Sequence, residues 1–484
     1  MAVHLFNTLS RNVEPLRLLD PAGQCVKMYT CGPTVYNFAH IGNFRAYVFE
    51  DLLQRHLEAR GLQVERVMNL TDVDDKTIRG CRQMGVRLAE FTAKFKEAFF
   101  EDLQTLRLRR AQHYPAATEP RYIERMIEMI RTLESAGIAY QAEDGSVYFR
   151  ISKFSDYGKL AHLNLDELRP SGRINNDEYE KEAIGDFALW KAWNEDDGDV
   201  AWDSPWGRGR PGWHIECSAM ATALLGPELD IHCGGVDNIF PHHEAEIAQS
   251  ECVTNRKFVR HWLHCAHLMV DGQKMSKSLG NFYTLRDLLA RGYSGREIRF
   301  ALLTVHYRLP LNFTLAGLDA ARAALSRLDA WIQRLLTPAA QHSPANSPIS
   351  PNCPQATAAA DRFLDALDED LNISAAMGHL FDWVRESNKS MDQGELSPEL
   401  AAGNLRELAR IQHVLAFEPD AELQQAPQEV LDLLEQRQQA RASKNWALSD
   451  QLRDAIAEHG WLVKDTKLGP ELSRLSKPLI HSSP

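Results

Sequence analysis

Val26-Lys27-Met28-Tyr29-Thr30-Cys31-Gly32-Pro33-Thr34-Val35-Tyr36-Asn37-Phe38-Ala39-His40-Ile41-Gly42-Asn43 reads as a short strand, a loop broken by Gly32-Pro33, and the opening of a helix. The spacing predicts that the helix continues from Phe44 to Arg60. Val48, Leu52 and the set Phe49, Leu53, Leu57 recur every three to four residues, as an amphipathic helix requires. Gly61 is a natural stop, and Val64 to Leu70 reads as the next strand. Strand, helix, strand at this spacing is a βαβ unit, the first piece of a parallel sheet. Ligands of such sheets sit at the carboxyl ends of the strands. His40-Ile41-Gly42-Asn43 falls there, at a helix N-terminus whose N–H groups and dipole favour phosphate. Gly42 lets a flat base approach the backbone.

The rest of the composition is that of a water-soluble enzyme. The chain has 484 residues, enough for two or three domains, with 44% hydrophobic and 25% charged residues. No secretory signal follows Met1 and no apolar run reaches membrane-spanning length, so the expected location is the cytoplasm. The eight cysteines lack a disulfide-scaffold rhythm and read as thiols or metal ligands. A net charge of -12 argues against non-specific nucleic-acid binding while leaving room for a local basic groove.

Further along, helices are expected at 88–108 and 121–136, a strand at 146–151, and a helix at 213–225. Leu229 to His232 reads as a short buried strand before a Cys233-Gly234-Gly235 turn. A helix opens at Pro241, a strand covers 268–271, and Lys274-Met275-Ser276-Lys277-Ser278 is a loop between Gly272 and Gly280. Residues 337–357, rich in Pro, Ser, Ala and Asn, read as a flexible linker.

Three groups of residues carry chemistry. His40 and Asn43, three apart at a helix start, can both face a triphosphate; alone they also fit a simple helix cap. Lys274 and Lys277 can bring ammonium groups to developing pyrophosphate charge; alone they also fit a solvated loop. His242 and Glu246 share one helix face at i, i+4, a spacing that suits one metal ion, and Cys31 and Cys217 are the natural additional ligands. Taken singly, those thiols read first as ordinary buried cysteines, and His242 reads equally as a cap and Glu246 as a solvated carboxylate.

At these residues the chain resembles the cysteinyl-tRNA synthetases, a family of class I aminoacyl-tRNA synthetases. The likeness runs through Cys31 to Asn43, Asn69 to Lys76, Gly209 to Met220, Phe240 to Ser250 and Lys274 to Ser278. It implies an α/β fold: a Rossmann-type parallel-sheet catalytic domain at 1–290 with a connective insertion at about 80–200. An α-helical stem-contact region at 291–336, the linker, a helical bundle at 358–425 and a C-terminal anticodon-binding domain at 426–484 would follow.

The implied reaction joins L-cysteine to tRNA(Cys) through a cysteinyl-adenylate, with Mg²⁺ accompanying ATP and one Zn²⁺ recognising the substrate thiolate. The implied roles are zinc ligands at Cys31, Cys217, His242 and Glu246, and catalytic phosphate handling by His40, Asn43, Lys274 and Lys277. Gly42 and Asp237 would lie beside the nucleotide, and Thr71, Trp213 and His232 would line the cysteine pocket. Arg441, Asp450 and Asp465 would read the anticodon, and the enzyme is expected to be a monomer.

Three departures stand out: Asn43 where the family commonly has His, Cys233 in place of a Gly beside the pocket, and no Gly-Thr-Trp finish after Asp465. A related ligase that passes cysteine to an amino sugar would share the catalytic motifs but lack the full C-terminal domain. Residues 430–484 carry eight Lys/Arg against seven Asp/Glu, a relatively basic end that favours tRNA contact. A non-catalytic zinc- or RNA-binding paralogue would have lost His40, Lys277 or a zinc ligand; all are present.

Overall fold

The computed structural model describes residues 2–163, 169–174, 183–276, 279–340, 353–419, 428–459, 461–466 and 469–474. Lys277 and Ser278 lie outside the described residues. The chain divides into two compact units, Met1–Asp287 with Ser294–Ala416, and Leu288–Tyr293 with Phe417–Pro484.

The first unit is built on four parallel strands in the order Val259–Cys265, Leu229–Gly235, Cys25–Thr30, Gln63–Met68. Val26, Met28, Tyr29 and the run from Leu229 to Gly234 are buried, the near-continuous pattern of a sheet covered on both faces. Helix Ile41–Ala59 links the Cys25–Thr30 strand to its outer neighbour on one side. Helix Glu244–Thr254 does the same for Leu229–Gly235 on the other. The two crossovers run apart, so a crevice opens at the carboxyl ends of the two central strands. Cys31 and Gly235 lie at its edge.

Several sequence-based expectations shift. The first helix does open inside the quoted stretch, at Ile41, because His40 caps it. The Leu229 strand runs on to Gly235, so Cys233 is in the sheet rather than in a turn. Side chains alternate along a strand, which puts Cys233 on the face opposite His232 and inside the core. Burial first, then the nearby Glu50, pushes its thiol well up, so it is no exposed thiol beside a pocket. The helix expected from Pro241 begins at Glu244, after a wide turn at Ile239–His243. Strands Ala139–Gln141, Val147–Phe149, Arg169–Ile174, Ala183–Ala192 and Gly209–Pro211 form a mixed sheet where only one strand was expected. The proposed 337–357 linker is shorter at both ends: helix Leu315–Ala340 takes its first four residues and helix Pro354–Asp368 its last four.

Helix Ile41–Ala59 is fastened at its far half. Asp51, fully buried, accepts from Arg55 Nε (2.7 Å), Arg299 Nη2 (2.5 Å) and the Arg109 backbone N–H (2.6 Å). Arg299 also donates to the carbonyls of Leu415 (2.7 Å) and Leu106 (3.2 Å), and Arg55 to those of His413 (2.9 Å) and Arg107 (2.7 Å). His413 and Leu415 are in the last turn of helix Pro398–Leu415, where carbonyls lack helical partners and favour cations. The second unit packs helices Gln428–Ala442 and Trp446–Glu458 and the hairpin of Trp461–Thr466 with Gly469–Arg474 around Val430, Ile456 and Trp461.

Burial raises the Asp51 carboxyl, but Arg299 and Arg55 outweigh it and hold it below the ordinary carboxylate value. Its contribution to stability is therefore complete above the unfolded-state value and is lost as pH falls through the lower, folded-state value. Asp51→Asn leaves Arg299 buried without a counter-charge and should destabilise the first unit by about 3 kcal/mol or more at neutral pH. Urea unfolding followed by circular dichroism measures this, and the difference from wild type should shrink below about pH 4. A variant as stable as wild type at pH 7 would remove Asp51 from its place as the anchor.

Candidate active site

His40 is the cap of helix Ile41–Ala59. Its Nδ1 accepts the Asn43 N–H at 3.2 Å, and Asn43 Oδ1 accepts the His40 N–H at 3.1 Å. The pair thus forms a reciprocal capping box, which is the local reason the helix begins there. The Ile41 N–H is given to the Tyr283 carbonyl at 3.0 Å, and Gly42's amide has no partner among the described residues. A Cβ on Gly42 would lie 2.9 Å from His40 Nδ1 and 3.3 Å from Met275 Cε, so the two phosphate-handling stretches predicted from sequence do meet at Gly42. The segment after the second stretch is tied down as well: the Phe282 ring stands edge-on to His40 at 5.3 Å, and Thr284 bridges to His40.

Lys274 is exposed in a two-residue strand, Gln273–Lys274, paired with Met269 and Val270. Asp271 and Gly272 make the turn at φ 49° and 76°, the Asp-Gly pattern of a tight hairpin. Asp237 is exposed in the turn after the Leu229–Gly235 strand. Its Oδ1 lies 2.2 Å from where a Cβ of Gly235 would be, so a side chain at 235 would displace the Asp237 carboxylate.

The crevice floor is a buried cluster. The donor atoms of Cys31, Cys217, His242 and Glu246 all lie within 4.8 Å of one another, and so do those of Cys31, His232, His243 and Glu246. Cys31 directly follows the Cys25–Thr30 strand, Cys217 sits one turn into helix Trp213–Leu225, and Glu246 lies in the first turn of helix Glu244–Thr254. Glu246 Oε1 is 3.1 Å from His242 Nε2, and Oε2 is 3.0 Å from His232 Nε2. Trp213 stacks on His242 with centroids 4.3 Å apart, and His214 Nδ1 meets His242 Nδ1 at 3.0 Å. His243 Nε2 lies 3.3 Å from Cys31 Sγ; its other nitrogen meets His264 Nε2 at 2.8 Å, and His264 Nδ1 meets Thr8 Oγ1 at 2.7 Å.

The charges in this cluster are strongly coupled. The hydrogen bond with Cys217, then burial, pushes the Cys31 thiol well up. Burial acts to raise Cys217 too, but the Cys31 bond and His242 bring it down to about 6. Burial opposes the His242 cation, yet Cys217 and Glu246 raise it to about 10. Burial opposes the Glu246 anion, yet His232 and His242 lower it to about 2. These shifts favour an imidazolium flanked by a thiolate and a carboxylate on the crevice floor. Glu246 Oε1, buried, also accepts no hydrogen bond of good geometry. Two thiols, an imidazole and a carboxylate are a donor set that fits a tetrahedral zinc ion.

Thr71 is buried beside the same loop. Its backbone pairs with Pro33 and Val35, and its Oγ1 accepts from Asn69 Nδ2 at 3.1 Å. Asn69 Oδ1 takes the Gly32 N–H at 2.9 Å, and a Cβ on Gly32 would fall 1.7 Å from the Asn69 carbonyl oxygen. In the second unit Arg441 Nη1 lies 3.2 Å from Asp465 Oδ2, while Asp450 pairs with Arg453 at 3.5 Å. Both oxygens of Asp465 are already taken by Arg437, each at 2.9 Å. Sequence reasoning missed Arg437, His243, His264 and Asn69. Of these, His243 stood next to His242 in the Pro-His-His-Glu run, and Asn69 opened the Asn69 to Lys76 run.

Residues 19–323 match the family model for the class I (C) tRNA synthetase catalytic domain, 362–417 the DALR domain, and 423–469 the cysteinyl-tRNA ligase anticodon-binding domain. The fold is shared with a methionyl-tRNA synthetase from Mycobacterium tuberculosis in complex with methionyl-adenylate. That likeness has a TM-score of 0.61 and 14% identity, over 81% of this chain and 92% of that one. A LeuRS–tRNA ternary complex from Agrobacterium radiobacter gives a TM-score of 0.58 and 13% identity, over 83% and 85%. These matches place the chain among the class I aminoacyl-tRNA synthetases, which are enzymes.

A cysteine–tRNA ligase from Chlamydia muridarum is 50% identical over 98% of this chain and 100% of the relative, and one from Protochlamydia amoebophila is 48% identical over 98% of each. The chain belongs to the cysteinyl-tRNA synthetase family. Its match through 423–469 sets aside the shorter amino-sugar ligase reading. No helix among the described residues is long and apolar enough to cross a membrane.

Gly42→Ala tests the junction of the two phosphate-handling stretches. The atoms in the way are flexible side-chain ends, so folding should survive, with the melting temperature moving by only a few degrees. The His40 ring must swing aside, and cysteine-dependent ATP–pyrophosphate exchange should fall by about tenfold or more. Exchange at the wild-type rate would show that neither the ring position nor the open space over Gly42 matters.

Proposed function

We propose that the chain charges tRNA(Cys) with L-cysteine in two steps. In the first, a cysteine carboxylate oxygen bonds to the α-phosphorus of ATP as the bond to pyrophosphate breaks. In the second, a hydroxyl of the terminal tRNA ribose takes the cysteinyl group and AMP leaves. The observation that carries this reading is the buried Cys31, Cys217, His242, Glu246 cluster at the crevice floor, close under the His40 helix. Serine and cysteine differ too little in size for shape alone to separate them. Bound zinc would supply a soft Lewis acid that favours a thiolate over a hydroxyl.

The chain's own residues do the positioning. Trp213 and His214 hold the His242 ring so that Nε2 faces the cluster. His232 holds one oxygen of Glu246 and leaves the other turned to the donors. Thr71 Oγ1 keeps a lone pair for the substrate ammonium after accepting from Asn69. His40, the Gly42 amide and Asn43 Nδ2 face the nucleotide phosphates with Asp237 nearby. Lys274 and Lys277 meet the departing pyrophosphate, and Mg²⁺ accompanies ATP. In the second unit Arg441 reads a base edge, with Asp450 beside it, while Asp465 braces Arg441 together with Arg437. The enzyme acts as a cytoplasmic monomer.

One zinc per chain is expected by elemental analysis, and Cys217→Ser should lose most of it and raise the cysteine requirement. Full zinc retention in that variant would shift the ligand set to Cys31, His232, His243 and Glu246. Arg441→Ala should leave pyrophosphate exchange near normal while tRNA charging weakens by roughly 1–3 kcal/mol. That loss should shrink on a tRNA with an altered anticodon. An equal loss on both tRNAs would make Arg441 a phosphate contact instead.

A further inference from the structure

The stretch that starts at Lys274 leads out of a short hairpin. Lys274 is exposed, and the loop leaves the paired strand at that residue. Beyond it, Gly280 turns the chain at φ 66°. Residues 282–284 are then fixed to the start of helix Ile41–Ala59 by the Tyr283 carbonyl, the Thr284 bridge and the Phe282 ring. Asn281 immediately precedes that fixed segment, and its side chain reaches back toward Lys274 and Ser276. Its Oδ1 accepts the Ser276 N–H at 2.8 Å and its Nδ2 donates to the Lys274 carbonyl at 3.2 Å. The amide orientation follows from the partners, since one is a donor and the other an acceptor. The two bonds straddle Met275, whose methyl group packs over Gly42.

We propose that Asn281 is a positioning residue for the first step: its carboxamide sets where the Lys274 to Ser276 backbone, and with it the Lys274 ammonium, stands relative to the His40 helix. No substrate touches it; it acts through the backbone of Lys274 and Ser276. Other side chains at 281 do not replace it. Asp keeps an acceptor for Ser276 but sets a second oxygen against the Lys274 carbonyl. Ala supplies neither bond. The cost falls on the transition state, because charge on the departing pyrophosphate develops only there and a displacement near 1 Å is enough to lose it. This inference rests on the reading of the 274–278 loop as the element that handles pyrophosphate.

The test compares Asn281→Ala, Asn281→Asp and Lys274→Ala with the full-length wild-type chain. Each is measured by cysteine-dependent ATP–pyrophosphate exchange and by thermal unfolding. Asn281→Ala is expected to lower kcat about 10- to 100-fold, with KM for cysteine within about twofold and the melting temperature within a few degrees. Asn281→Asp should fall between Ala and wild type. A merely structural Asn281 would lower the melting temperature and leave kcat per folded molecule unchanged, and that result overturns the proposal. So does a loss confined to the KM for cysteine. Lys274→Ala separates the two levels. If it slows exchange while Asn281→Ala does not, the positioning role is wrong; if it leaves exchange intact, the reading of the loop itself is wrong.

Discussion

The structure of the first unit depends on a carboxylate that water cannot reach. Asp51 sits near the middle of helix Ile41–Ala59 and holds Arg55, Arg299 and the Arg109 amide around it. Arg299 is itself fully buried, so neither charge can relax into solvent if the other is withdrawn. Through these arginines the helix grips the last carbonyls of helix Pro398–Leu415. A helix of this length spans roughly 28 Å. The end that presents His40 is therefore steadied at two levels, by these buried charges further along the helix and by the Tyr283 and Thr284 contacts at the cap itself.

A second constraint meets the first at the crevice. The central strands Cys25–Thr30 and Leu229–Gly235 send their crossovers in opposite directions, and only between their carboxyl ends can groups from both halves converge. Cys31 comes from one half, Cys217, His242 and Glu246 from the other. The aromatic and imidazole rings around them leave these side chains little freedom to turn away. Trp213 covers His242, Trp262 stacks on His232 at 4.7 Å, and His264 backs His243. Tight confinement of unlike charges favours the protonated form of His242 and the deprotonated form of Cys217.

Much of this was legible because it depends on short-range pattern. The βαβ start, the i, i+4 pair His242 and Glu246, and the helix at Trp213 follow from spacing within a few residues. The joining of His40 to the 274–284 segment was foreseen only as two separate phosphate-handling stretches. That Gly42 and Met275 touch is a tertiary fact without local trace. His264 and Thr8 were out of reach for the same reason, as they act from distant strands. Cys233 was misplaced because a Gly-Gly pair was taken as a turn signal, whereas pairing with Thr30 and Leu263 carries the strand through it. Asp271-Gly272 was a local hairpin signal that went unread behind the charge of the lysines. Arg437 was passed over because a buried arginine in an amphipathic helix looks, in sequence, like any solvated one.

The capping box at His40 and Asn43 leaves this helix with an unusually narrow mouth. Ile41 and Asn43 have spent their amides on Tyr283 and His40, and among the described residues Gly42's has no partner. Phosphate-binding loops elsewhere wrap an anion in several amides at once and hold it whether or not anything else is present. A single amide offers direction but little grip. A nucleotide seated here would be aimed by the helix and retained by charges arriving from elsewhere in the chain, so its dwell time would follow those charges. An entrance of that kind suits a site that must let go of a pyrophosphate as readily as it took in a triphosphate.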